Sequence, residues 1–165
     1  MNNHLNTIRR TSSVGLWVSV AVVIVTALSH YLCPYRFYPS PATARWMLVA
    51  GSVLAVLAIS ASLLVVRKKI PALRQSESLE AKLSGYAQHI RSLYLNMMAV
   101  VMIICVLTVL SAQNVLLMLA IVSVLMLFLA YPNMYKMKGD LGLTDDEARL
   151  LFGDRYISDN RNEEQ

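Results

Sequence analysis

Charge is missing from the longest apolar stretches of this chain: neither Val14 to Leu32 nor Trp46 to Val66 contains an Asp, Glu, Lys or Arg. Burying four such runs within 165 residues would leave too few polar residues to cover them, which argues against a water-soluble bundle. Ionisable residues are also absent from mid-depth of every run, and such residues are the usual pointers to a proton relay or an ion path. A small multidrug exporter would want a carboxylate in its first span, and there is none.

Cysteine is scarce: Cys33 and Cys105 stand far apart with no CxxC motif, which argues against a membrane thiol oxidase. A disulfide between them would need tilted helices, so both read as ordinary apolar cysteines and neither carries an assigned redox role. The three histidines are His4, His30 and His89, none at the depth that intramembrane haem ligation needs. His30 and Cys33 lie one turn apart, but two ligands make no metal site, and His30 reads as an interfacial residue. No HExxH, paired carboxylate, serine–histidine pair or glycine-rich phosphate loop occurs in a usable place. The expectation is therefore no enzyme, no catalytic residue, no metal and no cofactor. The sequence pI near 9.4 comes from charge spread along the flanks of apolar runs, with a net acidic tail, so nucleic acid is not expected as a partner.

What the chain has is length in its apolar segments. A hydrocarbon core about 30 Å thick takes about 20 apolar residues of helix. Four spans meet or approach this at about 14–32, 46–66, 93–112 and 115–131. The fourth is short and can borrow Gln113 and Asn114 or thin the bilayer at small cost. Backbone in lipid must satisfy its own hydrogen bonds, so the spans are helices and the class is all-α. The organisation that follows is a four-span transmembrane domain over 1–131, with a loop and helix over 67–92, and a tail over 132–165.

Arg9 and Arg10 precede the first span, Arg67, Lys68, Lys69, Arg74, Lys82 and Arg91 follow the second, and Lys136 and Lys138 follow the fourth. The opposite side has only Arg36 and Arg45. For a membrane four-helix bundle this asymmetry predicts both termini and the 67–92 segment on the cytoplasmic side. Tyr31, Tyr35, Phe37, Tyr38 and Trp46 read as outer aromatic anchors, and Trp17, Tyr94, Tyr131 and Tyr135 as inner ones. A rival reading makes residues 1–29 a cleaved leader, because Ala27, Leu28 and Ser29 resemble a small-residue cleavage site; the run continues apolar beyond it.

Pro34, Pro39 and Pro41 make the first connection stiff and extended. After Pro71, Ser76 is expected to cap a helix with Leu79, Leu83, Tyr86, Ile90, Leu93 and Met97 on one face, so the third helix starts outside the membrane. The fourth helix should stop at Pro132. Thr144 and Glu147 form a capping box for a short amphipathic helix over about 145–152 that ends at Gly153, with Ala148, Leu151 and Phe152 on its apolar face. The remaining tail to Gln165 reads as disordered. Lys82, Leu83 and Tyr86, the two spans after them, and then YPNMYKMKGDLGLTDDEARLLFG resemble a group of small uncharacterised four-span bacterial membrane proteins. That resemblance covers 79–153; it implies the topology and a prokaryotic inner membrane, and no activity.

Three sets of residues are candidates for interaction. Leu79, Leu83 and Tyr86, with Leu151 and Phe152, are apolar residues at the edge of a charged surface and must dock on a partner or on each other. Gly15 and Ser19 on the first helix, and Gly51, Ala55, Ala58 and Ser62 on the second, are small residues that allow close packing and are expected to join those two helices or an oligomer. Arg67, Lys68, Lys69 and Arg74 suit anionic lipid headgroups or serve as a topology anchor. Asn96, Thr108, Asn114 and Ser123 are expected to add hydrogen bonds between helices. The leading reading is a non-enzymatic accessory or interaction subunit with a membrane or cytoplasmic protein partner. The alternative is a homo-oligomeric small transporter or pore, lined by Asn96 and the Ser and Thr stripe of the first helix.

Overall fold

The computed structural model describes residues 2–32, 39–76, 78–111 and 113–153, with backbone alone at 2, 3, 63, 65–67 and 69. Cys33, the aromatic residues 35, 37 and 38, and the tail beyond 153 lie outside the described residues. Six α-helices follow in order: α1 (Asn2–Leu32), α2 (Pro41–Arg74), α3 (Leu79–Ser111), α4 (Asn114–Leu129), α5 (Met134–Leu141) and α6 (Asp145–Phe152). No strand occurs among the described residues. Helices α1, α2 and α3 are each long and apolar enough to cross a membrane, and α4 with α5 makes a fourth crossing if that pair, bent by 75°, is one span.

α3 takes the central place, packing on α1, α2 and α4. In its most apolar window 44% of residues are buried, against 17% in α2. Around it, α1 packs on α3 and α4, while α2 packs on α3, α4 and α5. Two hydrophobic clusters result. One joins Ala55 of α2 to Val101, Ile104 and Cys105 of α3 and to Leu116 and Ala120 of α4. The other brings Ile8 of α1, Leu83, Tyr86 and Ile90 of α3, Met137 and Leu141 of α5 and Leu151 of α6 together at the opposite end. At 31, 34 and 33 residues the three long helices run about 46–51 Å, well beyond a hydrocarbon core of about 30 Å. Their surplus length forms this second end.

Several boundaries differ from those expected, each for a local reason. α2 starts at Pro41 because Ser40 accepts the Thr43 N–H at 3.2 Å and Pro41 needs no amide partner in the first turn. It runs through Pro71 to Arg74 rather than stopping, and its last turn is held from outside: the Arg74 guanidinium donates to the carbonyls of Gly139 at 2.6 Å and Asp140 at 3.0 Å. The start of α3 is capped by Ser78, which accepts the Ala81 N–H, and not by Ser76. α4 does take in Asn114, as its shortness required, and is 16 residues or about 24 Å long.

α5 is a helix that the sequence reading left out. Asn133 caps it by accepting the Lys136 N–H at 2.7 Å, and Gly142 ends it with φ +59°, a left-handed conformation that glycine adopts without strain. α6 has the expected capping box: Thr144 accepts the Glu147 N–H while the Glu147 carboxylate accepts the Thr144 N–H at 2.9 Å. That second bond is the main reason the Glu147 carboxyl sits below its ordinary value of 4.5. A lowered folded-state value means that the contribution is complete above 4.5 and is lost as the pH falls through the lowered value. Thr144→Ala is expected to weaken α6 by about 1 kcal/mol at neutral pH, and acidification of the wild type should reproduce part of that loss. Amide exchange over 145–152 reads both.

Candidate functional site

The first set of candidate residues is brought together, but inward. Leu83, Tyr86 and Leu151 are buried in one cluster, and Leu79 and Phe152 pack against it partly buried. α6 brings Leu151 and Phe152 to the cluster that holds residues of α3 and α5, its Ala148 is buried, and Lys82 of α3 lies 3.6 Å from Glu147 of α6. The five residues thus belong to one internal cluster to which the tail helix contributes. Tyr94, expected at the interface, is fully buried there, with its hydroxyl donating to the Leu127 carbonyl at 3.0 Å.

The small residues meet α3 and α4, not each other. A Cβ on Gly15 would lie 2.8 Å from Tyr94 Cδ1, and one on Gly51 would lie 2.6 Å from Leu116 Cδ2. Ser19 is buried and bonds the Gly15 carbonyl one turn back, Ala55 is buried among α3 and α4 residues, Ala58 packs against both clusters, and Ser62 bonds the Ala58 carbonyl. Of the four residues expected to bridge helices, only Asn114 does: its side-chain oxygen lies 2.6 Å from His30 Nε2. His30, in the last turn of α1, is thus a buried link between α1 and α4. Thr108 and Ser123 bond carbonyls of their own helices. Sequence reasoning missed a further link, Ser13 with the Tyr131 hydroxyl at 2.9 Å.

Of the basic set, Arg74 is engaged on α5 as described, Lys68 is exposed, and the side chains of Arg67 and Lys69 lie outside the described residues. Among the described residues no three of His, Cys, Asp and Glu come close enough to share a metal, and Cys105 is a buried free thiol.

The open spaces lie along α2, the least covered long helix. On one flank a cleft of about 320 Å³ is lined by Ala58, Ala61 and Ser62 of α2 and by His89, Ser92, Leu93, Asn96, Ala99 and Val100 of α3. Ser92, Asn96 and Ala99 follow helical spacing and are exposed along it. The Asn96 amide lies one turn inside the expected edge of the third span at Leu93. On the other flank, Ser62 and Leu93 also border a groove of about 220 Å³ that reaches α4 and Lys136. The chain matches no protein-family model, no curated protein and no solved structure, so its functional reading rests on this geometry.

Proposed function

We propose that the chain is a non-enzymatic accessory subunit of a membrane assembly, set in a prokaryotic inner membrane with both ends in the cytoplasm. In this reading the α2–α3 cleft receives one transmembrane helix of the partner. The carrying observation is Asn96, an exposed amide within an apolar span, framed by Ala61, Ser92 and Ala99, which let another backbone approach. An amide facing hydrocarbon is costly unless it finds a hydrogen-bond partner, and a helix seated in the cleft supplies one.

The orientation is supported by where the basic residues fall. Arg9, Arg10, Lys68, Arg74, Lys82, Arg91, Lys136 and Lys138 all belong to the halves of their helices that hold the cluster of Ile8, Tyr86 and Met137, or to α5 itself. Short segments rich in Lys and Arg stay on the cytoplasmic side. The reading as a homo-oligomeric pore relied on the Ser and Thr stripe of α1; Ser19 and Thr26 are instead buried within the chain.

Extraction in mild detergent followed by intact mass of the complex tests the proposal. The expected result is a stoichiometric foreign chain, whose recovery falls about tenfold or more for Asn96→Leu combined with Ala99→Leu, a loss of about 1.4 kcal/mol or more. A homo-oligomer with no second chain would overturn it.

A further inference from the structure

The second groove along α2 differs from the cleft in chemistry. Its apolar wall is formed by Ile59, Met97, Met126 and Leu127, and a single charged residue, Lys136, borders it at the end where α4 stops. The space of about 220 Å³ exceeds the roughly 150 Å³ cavity that holds a benzene molecule, and two methionines give it an adaptable lining. Polarity is graded along its length. A smaller space of about 70 Å³ shares Leu93, Ala130 and Lys136 with it and adds Tyr86, His89 and Asp140. The Asp140 carboxylate there already accepts the Tyr86 hydroxyl at 3.0 Å. Lys136 gives one donor to the Leu129 carbonyl at 2.8 Å, and an ammonium group has three. The groove therefore presents an apolar slot with the Lys136 ammonium at the end where α4 stops, the neighbouring Asp140 carboxylate being engaged by the Tyr86 hydroxyl.

We propose that this groove binds one acyl chain of an anionic phospholipid, with the headgroup phosphate held by Lys136. Charge complementarity argues for the occupant: Lys136 keeps donors that an apolar helix face would not satisfy, whereas an anionic lipid sets its phosphate against Lys136 and its chain against Met97 and Met126. The groove adjoins the Asn96 cleft at Ser62 and Leu93 but does not include Asn96, and the cleft does not include Lys136, so substitutions at Lys136 test it apart from the partner reading.

The test uses the full chain with Trp17 and Trp46, both exposed, replaced by Phe, and Met126→Trp as the sole tryptophan, in phosphatidylcholine vesicles containing phosphatidylglycerol. At equal mole fraction, phosphatidylglycerol brominated on its acyl chains is expected to quench the tryptophan at least threefold more strongly than brominated phosphatidylcholine. Lys136→Gln should bring the ratio to about one, and Lys136→Arg should keep it. In parallel, native mass of the unsubstituted chain in detergent is expected to show one retained phosphatidylglycerol, lost in Lys136→Gln. Equal quenching by both lipids would overturn the proposal, as would protection from both, which would mean that a helix fills the groove. A preference that survives Lys136→Gln would overturn it as well.

Discussion

Tyr86→Ala is expected to detach α5 and α6 from the rest of the molecule at a cost of about 3–5 kcal/mol, the range for removing a large side chain from a packed core. Tyr86 is 1% exposed and belongs to the cluster in which α1, α3, α5 and α6 meet. Its hydroxyl donates to the Asp140 carboxylate of α5 at 3.0 Å. Truncation removes the ring from beneath Met137 and Leu141 and leaves that carboxylate without its donor. Tyr86→Phe separates the two effects, since it keeps the ring and loses only a hydrogen bond to a charged group, about 1.5–3 kcal/mol. Hydrogen exchange of the detergent-solubilised protein over 134–152 is the measurement. Protection should collapse there in the alanine variant while 93–111 keeps its own, and unchanged protection over 134–152 would refute the account.

Gly15→Leu is expected to force α1 away from α3. A Cβ at this position already lies 2.8 Å from Tyr94 Cδ1 and 3.3 Å from the Met98 sulfur. Met98 can give way. Tyr94 cannot swing aside without surrendering both its full burial and its bond to the Leu127 carbonyl, so the helices must part. Overpacking of this kind costs about 1–3 kcal/mol and should appear as a lower Tm in detergent. Gly139, with open space around its Cβ position, is the control: Gly139→Ala should leave Tm unchanged or raise it slightly. Equal losses at the two positions would mean that α1 and α3 do not meet at Gly15.

The parts of this fold legible in the sequence are those set by periodicity over many residues. Three charge-free stretches become long helices, and the face of Leu83, Tyr86, Ile90 and Met97 is buried as its spacing requires. The capping box of α6 was readable because its two side chains and two amides lie within four residues. α5 escaped because it has only eight residues, although Asn133 before it and Gly142 after it are the start and stop signals of a helix. Tyr94 was placed at the interface by its residue type, while its register with Tyr86, Ile90 and Met97 points to the core.

Pairwise questions were the illegible ones. Small residues announce that some backbone comes near, yet nothing local says that Gly15 meets Tyr94 and Gly51 meets Leu116. Likewise His30 and Asn114 are 84 positions apart, and their contact exists only once α1 and α4 are in place. The candidate cleft shares this character, since Ala61 and Asn96 come to line one space only through the packing of α2 on α3.

The central place of α3 bears on how the chain is made. Synthesis runs from the N-terminus, so α1 and α2 leave the ribosome before the helix on which both pack exists. Gly15 and Gly51 then have no native neighbour until Tyr94 and Leu116 are translated. Until then α1 and α2 lack the helix they pack on, a state that suits a bilayer because the runs 14–32 and 46–66 within them carry no charge. Assembly begins when α3 arrives, and a nascent chain halted before residue 79 should hold α1 and α2 without their native neighbours.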